Sequence, residues 1–100
     1  MSRTIIKVPY SDYQKTNDMI QMILREKRFK EKIQDGRAYW QKGGFWAAPQ
    51  CVQVDFSETE VTISAWVLQF GAESDLTGIV AIAAKKPLLE LLEILKYKIH

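Results

Sequence analysis

The side chains able to do covalent or metal chemistry are few and far apart. The sequence holds one cysteine, Cys51, and one histidine, His100, at the last position. A thiol beside an imidazole makes a nucleophile pair, but a terminal residue is usually frayed, so no Cys51–His100 pair is expected. The same two residues fall short of a zinc-ligand set, which needs several closely spaced Cys or His. No metal and no cofactor is expected. Carboxylates gather at Asp55, Glu58 and Glu60 and again at Glu73 and Asp75, in turn-like sequence where acids are ordinarily solvated. Lys42-Gly43-Gly44-Phe45 lacks the spacing and the following Lys-Ser/Thr of a phosphate loop. It also departs at its third position from the RNA-binding sheet signature. Cys51 therefore reads as a small apolar residue, and the chain reads as a non-enzyme.

The totals agree with a folded module. One hundred residues, 47% hydrophobic and 26% charged, make a single α+β domain over residues 1–100 that can bury its own core. The longest apolar run, Ile79 to Ala84, is six residues, far short of a bilayer span. The start carries no leader-like apolar stretch, and with a lone cysteine a cytoplasmic location is expected. Charge is uneven. Residues 1–50 carry ten Lys/Arg against five Asp/Glu, and residues 51–100 carry four against seven. The basic half peaks at Arg25 to Lys32, but Glu26 and Glu31 interrupt it, so nucleic acid is not the expected partner. Stacking on single strands would need a contiguous positive surface around Trp40 or Trp66.

The elements that must position any site can be read in turn. Arg3–Val8 has β-branched character and ends at Pro9, giving a first strand. Ser11 and Asp12 are helix-capping types, and Met19, Ile20, Ile23 and Leu24 share one face, giving a helix from Asp12 or Tyr13 to about Arg28. Asp35-Gly36 suits a two-residue hairpin turn between short alternating runs. A hairpin is preferred over a helix continued through Ile33, because Phe29, Glu31 and Ile33 keep period two. Val52, Val54 and Phe56 then alternate against Cys51, Gln53 and Asp55. In the next strand Val61, Ile63, Ala65 and Val67 alternate against Thr62, Ser64, Trp66, Leu68 and Phe70. Residues 72–78 read as a short extra strand or a loop, and Ile79–Ala84 as strand or loop. Pro87 suits the first position of a last helix striped by Leu88, Leu91, Leu92, Leu95 and Ile99.

The order β-α-β-β-β-β-α implies an antiparallel sheet with both helices packed on one face. It resembles one repeat of the TATA-binding protein and the related helix-grip folds. Tyr39 and Trp40 point to opposite faces of one strand, so one of them lies under the helices. Trp40, Phe45 and Trp46 read as an aromatic corner of the core beside Gly43-Gly44. On the face away from the helices, Trp66, Leu68 and Phe70 form an apolar patch rimmed by Gln53, Ser64 and Thr62. Such a patch marks association with another chain, most simply a homodimer, with Trp66 and Phe70 as anchors. The runner-up is a small-molecule or lipid site between helix and sheet, lined by Val54, Ile63 and Leu92.

Tyr39 to Val54, with Ser64-Ala65-Trp66-Val67 and Glu73-x-x-Leu76-x-Gly78 ahead of Lys85-Lys86, also resembles a small family of Firmicutes proteins. The likeness covers roughly Tyr39 to Lys86. That family has no assigned activity, so the resemblance implies a bacterial module and transfers no functional residue.

Overall fold

The computed structural model describes residues 3–43, 49–69, 72–74 and 82–99. Its elements are β1 (Thr4–Pro9), α1 (Tyr13–Glu26), β2 (Lys30–Gln34), β3 (Arg37–Lys42), β4 (Gln50–Phe56), β5 (Glu60–Gln69), β6 (Ala72–Ser74) and α2 (Ile82–Ile99). This is the α+β order expected, with β6 as the short extra strand. The strands form one antiparallel sheet in the order β1-β5-β4-β3-β2. β5 is the longest strand, and one of its edges is shared: β1 pairs with Glu60–Ala65 and β6 with Val67–Gln69.

Register sorts the side chains into two faces. Thr4, Ala65, Val52, Trp40 and Glu31 form one row across the inner face, and Ile6, Ile63 and Val54 another. Both helices cover that face. Their apolar residues, Ile20, Ile23, Leu24, Leu88, Leu91, Leu92 and Leu95, join Val8, Val52, Val61, Ile63, Ala65 and Val67 in one core. The start of α1 lies near the end of β4, where Tyr13 and Tyr10 meet Phe56 edge-on at ring separations of 4.6 and 5.3 Å. Near the end of α1, Arg25 lies 5.7 Å from the Trp40 ring, which is buried in the core. Trp40 is thus the partner of the Tyr39–Trp40 pair that goes under the helices. Phe45 and Trp46, the rest of the expected corner, lie outside the described residues.

Local chemistry sets the element ends. The Asp12 carboxylate accepts from the Lys15 amide at 3.1 Å, capping α1. Asp35 and Gly36 take φ of 53° and 77°, the positive pair that a two-residue hairpin turn requires. Gly43, just beyond β3, has φ of 84°.

Helix α1 stops two residues earlier than the periodicity suggests. Arg28 adopts φ of 70°, its amide donates to Arg25 O at 2.9 Å, and the Phe29 amide donates to Leu24 O at 2.9 Å. This is a Schellman ending, with Leu24 and Phe29 supplying its apolar contact, but with Arg where Gly is usual. The expected start of α2 is also corrected. The helix begins at Ile82, so Pro87 lies inside it and Ile82–Ala84 are helical rather than strand or loop. Ala83, Ala84, Lys85 and Lys86 are good helix formers, and they extend the helix upstream at the expense of the hydrogen bond Pro87 cannot donate.

The two left-handed positions make opposite predictions. Arg28→Gly relieves backbone strain and should raise stability by about 0.5–1 kcal/mol, while Gly36→Ala should lower it by about 1 kcal/mol or more. Urea unfolding of the two variants checks both signs.

Candidate functional site

The outer face of the sheet begins from three rows set by register. Lys30, Gln41, Cys51 and Trp66 lie in one row, Gln53 and Ser64 in the next with Ile5, and Asp55 and Thr62 in the third with Lys7. Tyr39 and Lys32 pair beside the first row. All of the expected patch residues within the described chain, Trp66, Leu68, Gln53, Ser64 and Thr62, do share this face. Phe70 lies outside the described residues.

The centre of the face is closed. Cys51, Gln53, Ser64 and Trp66 are buried, Trp66 with 5% of its surface exposed. The expected exposed anchor is therefore corrected: Trp66 is already covered within the single chain. One cover is Arg3. Its guanidinium carbon sits 3.8 Å from the Trp66 ring centroid, and its Nη1 donates to Gln53 Oε1 at 2.6 Å. A planar cation suits both contacts, stacking on the ring while its edge donates to the amide oxygen. On the other side the Tyr39 ring lies 6.4 Å from Trp66, inclined by 33°, with its hydroxyl donating to Gln41 Oε1 at 3.3 Å.

Around this closed centre runs an exposed rim. Ile5 keeps 55% of its surface in solvent. Thr62, Leu68, Tyr39 and Gln41 are half-buried, and Lys7, Lys30, Lys32, Arg37 and Asp55 are exposed. Arg37 Nη2 approaches Asp55 Oδ1 to 3.7 Å; both ends are open to water, so the pair contributes little to stability. The cations Arg3, Lys7, Lys30, Lys32 and Arg37 share this face with Asp55 and Glu60, and register adds Glu73 opposite Leu68.

Chemistry elsewhere is sparse. Cys51 is buried, and His100 lies outside the described residues. Among the described residues no group of His, Cys, Asp or Glu is arranged to hold a metal ion. No helix among them is long and apolar enough to cross a membrane. At the place expected for a helix–sheet ligand, Ile63 and Leu92 are packed into the core with Val54 against it. A recess of about 180 Å³ lies elsewhere, where Lys27, Phe29, Lys42, Gln50, Glu90 and Leu91 meet.

The residue that reading the chain missed is Arg3. Thr4 pairs with Ala65, so Arg3 falls opposite Trp66. That relation comes from strand register, which no local pattern displays. Tyr39 was legible by alternation once Trp40 was placed inside. No protein-family model, curated protein or solved structure matches the chain.

Arg3→Ala removes the stacked cation and the Gln53 hydrogen bond together. A stability loss of about 1–2 kcal/mol is expected by urea unfolding. Arg3→Lys should recover only part of it, since an ammonium cannot stack and bridge in the same way. Equal stabilities for all three chains would show that the cover holds nothing in place.

Proposed function

We propose that this chain is a non-enzymatic association module that works through the outer face of its sheet, most simply by pairing with a second copy. The observation that carries the reading is the division of labour between the two faces. The helices pack on the inner face, while the outer face offers a sealed centre and a rim containing exposed Ile5 and half-buried Tyr39. Trp66, Gln53 and Ser64 serve as the foundation of this surface. Ile5 and Tyr39, with Thr62 and Leu68, supply the contact area. Two-fold pairing uses the same patch on both copies, which asks for charges of both signs on one face. Arg37 and Asp55 meet that requirement and can exchange partners across the axis. The likeness to a Firmicutes family adds a bacterial setting to this reading and no residue.

Light scattering on a size-exclusion column at two protein concentrations tests the proposal. A mass near twice that of the chain, falling on dilution, is expected. Ile5→Glu should weaken the dimer by about tenfold or more with little change in melting temperature, because Ile5 is exposed in the monomer. Trp66→Ala should instead lower folding stability by about 3–5 kcal/mol. A monomer at both concentrations contradicts self-pairing.

A further inference from the structure

The sheet ends in a strand that none of the other described elements covers. β2 is the last strand in the order, and every one of its residues is exposed. Gln34 and Arg37 flank the two-residue turn as the closing pair of the hairpin, so Lys30 and Lys32 share their hydrogen bonds with β3 as Gln34 does. The backbone groups of Glu31 and Ile33 then point to the open side, since the direction alternates along an antiparallel strand. Open edges are commonly guarded by lysine, and Lys30 and Lys32 do this against another basic edge. A second copy in the fully paired two-fold register would set Lys32 directly opposite its own mate, and like charges directly opposite destabilise a pair.

The same residues favour a different occupant. Lys30 and Lys32 project to the outer face, where Arg37 adds a third exposed cation next to them. On the inner face Ile33 keeps 76% of its surface exposed beside its exposed partner Ala38. Helix α1, which packs on this face, carries Met22 with 55% exposed. From these observations we infer that the open edge of β2 is a docking site for an extended acidic segment of another protein, added to the sheet as a further strand. Its alternate residues are carboxylates facing Lys30 and Lys32, and the apolar residue next beyond the one facing Lys32 covers Ile33. Main-chain hydrogen bonds to Glu31 and Ile33 give the affinity, and the two lysines give the selectivity for acid. This site goes beyond the outer-face pairing proposed above and does not depend on it.

The test uses the full chain and a fluorescein-labelled peptide of alternating Glu and Val, followed by fluorescence anisotropy. Saturable binding is expected, weakened about tenfold or more by Lys30→Glu/Lys32→Glu. Ile33→Pro deletes an N–H that faces only the open side, so it should abolish binding while leaving the β2–β3 ladder intact. Should that variant fail to fold, a peptide N-methylated at alternate residues removes the same hydrogen bonds from the other partner and should not bind. Binding that survives both changes would overturn the inference in favour of plain attraction between charges. Tighter binding of a short oligothymidylate, indifferent to Ile33→Pro, would also overturn it and make the basic surface a nucleic-acid site. Dimerisation of the chain that Ile33→Pro abolishes would make the occupant a second copy.

Discussion

Burial of β5 on both faces is the constraint on which the rest depends. Val61, Ile63, Ala65 and Val67 are buried on the inner side, and Ser64 and Trp66 on the outer. A strand placed this way needs neighbours along both edges and cover on both faces. β4 supplies one edge, and β1 with β6 supplies the other. The inner face is closed by α2, whose Leu88, Leu91, Leu92 and Leu95 join the same core, with α1 packed beside it. Hydrophobic burial at roughly 25 cal/mol per Å² makes this the dominant favourable term in a domain of this size.

Cover on the outer side is of another kind. An indole on a polar face could sit in water, yet Trp66 carries a guanidinium on its ring and a tyrosine beside it. Arg3 ties that ring to Gln53 and so links β1 to β4 across β5. The polar atoms buried there are all hydrogen-bonded, as a closed polar centre requires. Side chains packed beneath exposed neighbours such as Ile5 need little reordering when a partner binds, which lowers the cost of association.

Much of the fold was legible because local chemistry and global packing agree. Asp35-Gly36 announced its hairpin, Asp12 its cap, and the alternation of Val61 to Val67 its inner face. What stayed hidden was set by relations between distant residues or by unusual backbone. Arg28 gives no sign of a left-handed helix ending, since arginine has no preference for that region. Pro87 pointed to a helix start, whereas the alanines and lysines before it carry the helix upstream. Alternation alone puts Trp66, Leu68, Gln53, Ser64 and Thr62 on one face, but whether that face is open depends on Arg3, sixty-three positions away in the chain from Trp66.

The sheet therefore runs from a strand whose centre, Ile63 to Val67, is buried on both faces to one whose residues are all exposed, and both proposed contacts grow from that gradient. Residue-resolved amide hydrogen exchange of the free chain tests it most directly. Amides of Ile63 to Val67 should exchange slowest, at the rate of global unfolding. Within β2, the Lys32 amide should be protected while those of Glu31 and Ile33 exchange rapidly. Equal protection at Glu31, Lys32 and Ile33 would mean that the edge is already paired, and uniform exchange across β5 and β2 would contradict the gradient itself.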